Sequence, residues 1–227
     1  MKILKTISFL CLLVSCSEND SENTTNSDSD NNVKINLEKN FYGLKVGNEF
    51  VYKSYIWNKY TEVYADINVI DSVEVVSEQV IKGEVYFKIL TKTTGNDDDI
   101  AFCNPNGTKV EFLRDSLGYL VNEKGRHYFS YKNKEKFFLG QRPNLQIFQQ
   151  LEDTDNTIKT NAGIFKVVQN SIKVYIKDEN GELTNETMPG KDTDNFSPYI
   201  GRVLKTFSRV NSEQPIIERR LESYKVE

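Results

Sequence analysis

The amino-acid sequence predicts an all-β fold, an antiparallel meander that curls into a sandwich or an open half-barrel, with at most one short helix besides a signal peptide. The composition is the first indication: 12 Tyr and 13 Phe stand beside abundant Asn, Asp, Ser and Thr, as is typical of strands and turns. The second is that apolar residues alternate with polar ones, while turn signals recur about every 8 to 12 residues. A chain of 227 residues suits one such domain or two small ones.

The first predicted strands lie between residues 49 and 93. Glu49 to Trp57 is rich in aromatic and β-branched residues. The next strand has a two-residue period that Asp71 interrupts, carried by Ile67, Val69, Val73 and Val75. Lys82-Gly83 predicts a turn, after which a further strand runs to about Thr93.

Short hairpins are predicted in the middle of the chain. Three turn signals, at 106–107, 116–118 and 123–125, separate the strand-like segments 109–115, 119–122 and 126–131. Farther along, Leu145 to Leu151 has helical spacing and is the one candidate for a helix.

The last third of the chain returns to strands. Ile172, Val174 and Ile176 alternate with polar or aromatic residues up to the turn residues 178–181. Two terminal strands are predicted, from Arg202 to Val210 and from Ile216 to Val226.

The N-terminus has the pattern of an export signal. An apolar run from Ile7 to Val14 follows Lys2 and Lys5. The run is shorter than the roughly 20 apolar residues that cross a bilayer as a helix, so a signal peptide over residues 1–15 is predicted instead.

The apolar run ends in Leu13-Val14-Ser15-Cys16, which resembles the lipobox of bacterial lipoproteins. The resemblance implies cleavage between Ser15 and Cys16, a diacylglycerol on the Cys16 thiol and an acyl chain on the new amino group. Several acyl chains together hold a domain on a membrane far more firmly than one chain does. The alternative is an ordinary signal peptide followed by an incidental cysteine.

Residues 16–40 are predicted to be a tether that carries the lipidated cysteine. Positions 17–32 contain five acidic side chains and no Lys or Arg, a composition that cannot bury enough surface to fold. Ser17-Glu18-Asn19-Asp20 resembles the surface-export signal of Bacteroidota lipoproteins, which implies display on the cell surface. A plain linker on the periplasmic face of the outer membrane is the alternative. A single β domain over 41–227 follows.

Three segments resemble, in order, a family of β-rich lipoproteins from Bacteroidota that has no assigned activity. They are residues 41–52 (FYGLKVGNEFVY), 159–167 (KTNAGIFKV) and 196–203 (FSPYIGRV). The resemblance implies a β fold and an outer-membrane location, although Gly43, Phe50 and Tyr199 depart from the family pattern. It implies no chemistry.

The same segments predict structural roles from their residues alone. Gly163 and Gly201 stand at or near the start of strands, where a turn or bulge needs a positive φ. The predicted core anchors are Phe50, Tyr52, Phe165 and Val203.

The candidates for nucleophilic chemistry are few. Of three cysteines, Cys11 lies in the signal peptide and Cys16 is the lipidation site, so Cys103 has no partner for a disulfide and is predicted to be a small buried side chain. His127, the only histidine, lies in a predicted strand and no motif links it to Cys103.

Acidic clusters are the candidates for a metal site. The sequence Asp-Thr-Asp-Asn occurs at 153–156 and again at 192–195, and Asp97 to Asp99 form a third cluster. Calcium could be held by carboxylate oxygens, with Asp153, Asp155, Asp192 and Asp194 as weak candidate ligands. Neither copy continues as an EF-hand loop, so surface loops with Asx turns are the alternative we favour.

Two further patterns concern the surface. Asp71-Ser72-Val73 and Asp115-Ser116-Leu117 resemble the O-glycosylation sequon of Bacteroidota, which makes Ser72 and Ser116 weak modification candidates. The aromatic segments 57–60 and 128–131 could bind sugars or line an apolar cavity, although cross-strand packing is the simpler interpretation.

The function predicted from the sequence is non-catalytic binding of a protein, glycan or lipid by a membrane-anchored domain outside the cytoplasm. A net charge of −4 offers no basic field for nucleic acid, and no cofactor or catalytic residue is expected. Two alternatives stay open: a carrier or sensor that holds an apolar ligand in a half-barrel cavity, and a hydrolase that acts on glycan or peptide.

Overall fold

Fourteen strands form one antiparallel sheet within the part of the chain that the computed structural model describes, residues 40–152 and 155–227. The predicted signal peptide, Cys16, Asp153 and nearly all of the tether lie outside these residues. The strands are β1 Glu49–Asn58, β2 Val63–Ile81, β3 Glu84–Thr94, β4 Gly107–Ser116, β5 Tyr119–Asn122, β6 His127–Ser130, β7 Phe137–Arg142, β8 Leu145–Leu151, β9 Asn156–Thr160, β10 Gly163–Lys177, β11 Leu183–Thr187, β12 Asp192–Ser197, β13 Gly201–Phe207 and β14 Ile217–Lys225.

The sheet is a meander whose first and last strands pair with each other. The order is β6-β5-β4-β3-β2-β1-β14-β13-β12-β10-β8-β7, and β9 and β11 pair with β10 beside this path. Most neighbours are therefore consecutive in the chain. The pairs β8–β10 and β10–β12 each pass over one strand, and β1 pairs with β14, where Phe50 lies opposite Tyr224. The two edge strands, β6 and β7, follow each other in the sequence, which brings the edges of the sheet together.

Edge strand β6 meets β10 and β8 through side chains, and the sheet becomes a nearly closed barrel. Asn170 of β10 accepts a hydrogen bond from Ser130 N of β6 at 3.1 Å and donates one to Ser130 O at 2.7 Å. Gln149 of β8 donates to the same Asn170 oxygen at 3.2 Å. Asn170 thus replaces the missing backbone partner of Ser130. We call Ser130, Gln149 and Asn170 the seam.

The main apolar cluster lies inside the curled sheet. Its buried members come from β1, β2, β3, β10, β13 and β14, and they are Phe50, Tyr52, Val75, Ile89, Phe165, Val167, Val203 and Leu221. All four side chains that the sequence predicts as core anchors belong to this cluster. Burial at this scale stabilises a fold by about 25 cal/mol per Å² of apolar surface.

A second cluster is built from aromatic rings of the segment before β1, of β6 and its following residue, and of β12. Phe41 and Tyr42 pack with Phe129, Tyr131 and Phe196, and the Phe129 and Phe196 ring centroids are 4.2 Å apart. Phe129 and Tyr131 of the segment 128–131 therefore take part in packing. The Tyr42 hydroxyl donates to Gly118 O at 2.8 Å.

The glycines of two sequence segments meet at this place. A Cβ on Gly43 would lie 2.9 Å from Ile200 O, and a Cβ on Gly201 would lie 2.8 Å from Tyr42 O. The φ angle of Gly201 is +89° and that of Gly163 is +143°, so the predicted positive φ is confirmed at both.

The predicted helix at Leu145–Leu151 is wrong, because this segment is strand β8. In β8 the polar side chain of Gln149 faces inward to the seam, while Phe148 packs on the outer face against Tyr175, with ring centroids 5.5 Å apart. The usual alternation of inward apolar and outward polar residues is therefore not visible in this segment. Strand β2 runs without a break through Asp71, where the apolar period is interrupted. No helix within residues 40–152 or 155–227 is long and apolar enough to cross a membrane.

Candidate functional site

The barrel contains an interior cavity of about 290 Å³ whose lining divides into an apolar and a charged part. The apolar part comes from the main cluster and its neighbours, including Phe50, Val75, Ile89, Leu113, Leu120 and Phe196. The charged part includes Lys109, Glu111, Arg202, Lys205 and Arg219. A cavity that combines apolar walls with a few convergent polar groups is the usual form of a small-ligand site.

Three cations, Arg202, Lys205 and Arg219, form the core of the charged part, and we call them the cationic cluster. Lys205 of β13 lies directly opposite Arg219 of β14 in the sheet register, so both side chains point from the same face. The pairing of β12 with β13 has a register shift between Asn195 and Phe196, which places Arg202 opposite Phe196. This shift allows the Arg202 side chain to join the other two cations.

Arg202 is fully engaged by a buried carboxylate. Its Nε and one terminal nitrogen donate to the two oxygens of Asp194 at 2.7 and 2.9 Å, a bidentate pair. Asp194 is fully buried. Lys205 Nζ lies 3.5 Å from the same carboxylate, so its ion pair with Asp194 is weaker than that of Arg202.

Arg219 is held differently. Its Nε lies 2.7 Å from Asp71 Oδ2, yet Nε makes no hydrogen bond within the described residues, because the N–H does not point along this contact. The guanidinium carbon lies 4.7 Å from the centre of the Tyr52 ring, a cation–π contact. Arg219 therefore keeps donor capacity that its neighbours do not use.

Burial affects the pKa values of the three side chains of the cationic cluster. Desolvation lowers the pKa of Lys205 below its ordinary 10.5, and Asp194 only partly opposes this. Desolvation also lowers the pKa of Arg219, against the opposing effect of Asp71. For Arg202 the burial effect is outweighed by Asp194, which raises its pKa. Lys205 and Arg219 are thus the cations with too little compensating negative charge.

The loop between β3 and β4, residues 95–106, covers the charged end of the cavity. Phe102 and Asn104 of this loop line the cavity, and Phe102 stacks on Phe207 with centroids 6.0 Å apart. The Asn104 amide donates to Asp71 at 3.1 Å. Buried Asn96 fixes the loop by donating to Asn104 O at 2.8 Å.

A second cavity, of about 460 Å³, adjoins the first between β4 and the β5–β6 turn. Lys109, Glu111 and Tyr128 line both cavities, and Lys109 Nζ lies 2.9 Å from Glu111 Oε1. Lys124 and Arg126 add further positive charge to its wall. The interior cavity is thus bordered by a polar vestibule.

Three of the four weak metal candidates, Asp155, Asp192 and Asp194, lie in the described part of the chain. Asp155 pairs with Lys166 at 2.9 Å between Oδ1 and Nζ, in an exposed position before β9. Asp192 and Asp194 lie on the buried strand β12, so the interpretation of 192–195 as a surface loop is wrong. Within residues 40–152 and 155–227 no group of three His, Cys, Asp or Glu side chains has the geometry of a metal site.

The other predicted positions are spread over the barrel. Ser72 is exposed on β2, and Ser116 is half-buried at the end of β4. Cys103 is half-buried rather than fully buried, and desolvation raises the pKa of its thiol against an opposing hydrogen bond with Ser54. His127 does lie on a strand, where its ring stacks on Tyr119 with centroids 4.5 Å apart.

The cationic cluster itself was missed by sequence reasoning. Arg202 and Arg219 occur in predicted strands, where a charged residue is ordinarily placed on the solvent face. One signal was available: Asp71 sits in phase with Val69 and Val73, on the face that alternation marks as buried. A carboxylate at such a position is ordinarily paired with a buried cation or bound to a metal.

The comparisons with known proteins concern the fold. No protein-family model matches the chain, and no curated protein matches it in sequence. A crystal structure from Bacteroides fragilis, described as an exported protein with a YmcC-like fold, matches with a TM-score of 0.52 and 14% identity, over 82% of this chain and 99% of that one. Another from Parabacteroides distasonis, described as a lipoprotein, matches with a TM-score of 0.48 and 14% identity, over 82% of this chain and 98% of that one. The first likeness shows that the chain shares this fold.

Proposed function

We propose that the chain is a lipid-anchored lipoprotein of the outer membrane that binds a small ligand inside its barrel and catalyses no reaction. The observation that carries the binding role is the interior cavity of about 290 Å³, which has apolar walls and one charged end. A protein whose sheet serves only as an outer binding surface has no need of a void in its core, because empty space in a core destabilises a fold.

The location is supported by the N-terminal sequence and by the fold. The apolar run closed by Cys16 resembles a lipobox, and the structural relative from Bacteroides fragilis is described as an exported protein. Lipidation of Cys16 would keep the barrel on the periplasmic face of the outer membrane or on the cell surface.

Metabolic labelling with a palmitate analogue tests the anchor. We expect label in the wild type and none in Cys16→Ala, whereas Cys11→Ala, a matched change in the same N-terminal stretch, keeps the label. Protease treatment of intact cells then separates the two faces, because only a surface-displayed chain is degraded. A wild-type chain without label would contradict the anchor.

Recovery of a natural ligand tests the binding role. The full chain is purified from its membrane under mild conditions and denatured in organic solvent, and the extract is analysed by mass spectrometry. We expect a small molecule in about equimolar amount that the Val75→Trp variant loses, because Val75 lines the cavity and the larger side chain fills it. The exposed change Val80→Trp on the same strand is the control.

The lining of the cavity does not favour the alternative of a hydrolase that acts on glycan. Glycoside hydrolysis uses two carboxyl groups that flank the bond to be broken. Among the described residues, the interior cavity is lined by one carboxylate, Glu111, which pairs with Lys109 at 2.9 Å. Asp71 and Asp194 stand behind the wall in contact with arginines.

A further inference from the structure

We propose that the ligand is an amphipathic anion, with a carboxylate or phosphate head group on the cationic cluster and an apolar chain along the walls of the cavity. This inference rests on the binding function proposed above and names the chemistry of its ligand. Donors, charges and apolar side chains around the interior cavity support it.

The donors point to an oxyanion. Lys205 and Arg219 are direct cross-strand neighbours, and both line the cavity. Arg219 Nε is without a hydrogen bond in the described part of the chain, and the nearest carboxylate oxygen to Lys205 Nζ is 3.5 Å away. A single carboxylate or phosphate can accept from both side chains at once, since the guanidinium fork is suited to these groups.

The charges favour the same ligand. Three cations contact two carboxylates, Asp71 and Asp194. The other charged groups near the cluster are Asp192, whose pKa is raised by desolvation, and the Lys109–Glu111 pair. A buried cation without a full counter-charge is unfavourable, so an anion that enters the cavity supplies the missing interaction.

The remainder of the cavity is suited to a chain without charge. Phe50, Val75 and Ile89 lie among its lining residues and are buried in the main apolar cluster. The volume of about 290 Å³ is close to the lower end of the roughly 300–1,000 Å³ that is usual for small-ligand sites. A short-chain amphiphile therefore fits, and each buried CH₂ adds favourable transfer free energy.

Calorimetric titration tests the ligand class. The full chain is placed in lipid nanodiscs, with empty nanodiscs as the blank, and it is titrated with decanoate, decyl phosphate and decan-1-ol. The three probes share one chain length and differ in the head group. We expect at least one of the two anions to bind about tenfold or more tightly than the neutral alcohol, and the preferred anion identifies the head group.

Variants identify the residues that select the anion. Lys205→Met is expected to weaken binding of the preferred anion about tenfold and to leave binding of decan-1-ol unchanged. Asp194 keeps its bidentate partner Arg202 in this variant, so the buried carboxylate stays paired. Arg219→Lys, which keeps the charge but loses the fork, is a second and milder test. Lys191→Met, an exposed change at the Glu213 ion pair, is the matched control and is expected to bind like the wild type.

The outcomes separate this inference from the function on which it rests. If decan-1-ol binds as tightly as both anions and Lys205→Met changes nothing, the anion proposal is overturned while a ligand-binding barrel stands. If none of the three probes binds and the purified chain carries no small molecule, the proposed function is overturned as well.

Discussion

Asp71 and Arg219 are in contact inside the barrel although they lie on β2 and β14, on opposite sides of β1. Arg219 Nε is 2.7 Å from Asp71 Oδ2. The same carboxylate accepts hydrogen bonds from the Thr93 hydroxyl of β3 and from the Asn104 amide of the β3–β4 loop at 3.1 Å. One side chain therefore connects three strands with the loop that covers the cavity.

Asp71→Asn is expected to lower the free energy of unfolding by about 3–5 kcal/mol, because Arg219 is left as a buried charge without its partner. The double variant Asp71→Asn/Arg219→Gln should recover part of this loss, since it removes both charges. Urea denaturation followed by circular dichroism measures both. Glu213→Gln, which breaks an exposed ion pair with Lys191, is the control and should change stability by less than about 1 kcal/mol. A double variant no more stable than Asp71→Asn would contradict the pairing.

The two aspartates of β12 should respond differently to loss of charge. Asp194→Asn is expected to cost about 3–5 kcal/mol, because Arg202 and Lys205 lose their shared carboxylate. Asp192→Asn should be as stable as the wild type or more stable at pH 7, because desolvation raises the pKa of Asp192 and so disfavours its charged form. Its amide oxygen can still accept from Ser208 N.

The pH dependence of the Asp192→Asn comparison has a defined sign. A carboxyl group with a raised pKa contributes stability that is lost as pH rises from its ordinary 3.8 through its value in the folded protein. Any advantage of Asp192→Asn should therefore disappear as the pH is lowered below this window. Thermal unfolding from pH 3 to pH 7 gives the comparison, and an advantage that persists at pH 3 would exclude a charge effect.

The fold was largely predictable because strands record burial in a local pattern. Buried Phe165 and Val167 are separated by exposed Lys166, and turns such as Lys82-Gly83 need residues that adopt a positive φ. Such signals need only a few adjacent residues. They fail at β8, where an inward Gln149 belongs to the seam and an outward Phe148 to an aromatic contact, so that apolar spacing no longer marks one face.

The candidate site was not predictable in the same way. Its charged residues come from strands up to about 150 residues apart in sequence, and their contacts depend on the register of β1 with β14 and on closure of the sheet. In the local sequence, Asp71 interrupts an apolar period and Asp194 resembles part of a loop. Only the register shows that Lys205 stands between Asp194 and Arg219.

Asn170→Leu is expected to open the seam. The change removes both partners of the Ser130 backbone and leaves its N–H and C=O without hydrogen bonds, at about 1–3 kcal/mol for each group. Hydrogen exchange of the β6 amides should accelerate more than exchange in β1, at the centre of the sheet. Asn161→Leu, at an exposed hydrogen bond with Glu222, is the control and should leave β6 exchange unchanged. Uniform acceleration over all strands would mean that the seam does not act locally.

Gly201→Ala should destabilise the fold more than Gly181→Ala. Both glycines have a positive φ, +89° and +82°, so both alanines experience backbone strain of roughly 1–2 kcal/mol. Only at Gly201 would the new Cβ meet another atom, Tyr42 O at 2.8 Å, which adds a further loss of about 1–3 kcal/mol. Denaturant midpoints of the two variants measure the difference. Equal midpoints would show that the backbone at Tyr42 moves aside without a loss of stability.

The aromatic cluster around Tyr42 should make the fold sensitive to alkaline pH. Desolvation, reinforced by Asp115, Tyr131 and Asp194, raises the pKa of Tyr42 far above its ordinary 10.0. Above pH 10 the unfolded chain therefore releases this proton while the folded chain keeps it, so Tyr42 contributes a loss of stability of about 1.4 kcal/mol per pH unit.

Tyr42→Phe should lose stability at neutral pH, because the hydrogen bond to Gly118 O is gone, and should show a flatter decline between pH 10 and pH 11.5. Denaturant unfolding at a series of pH values gives both slopes, and Tyr60→Phe, at an exposed ring, is the control that should decline like the wild type. A slope for Tyr42→Phe equal to that of the wild type would show that Tyr42 ionises in the folded protein as readily as in the unfolded chain.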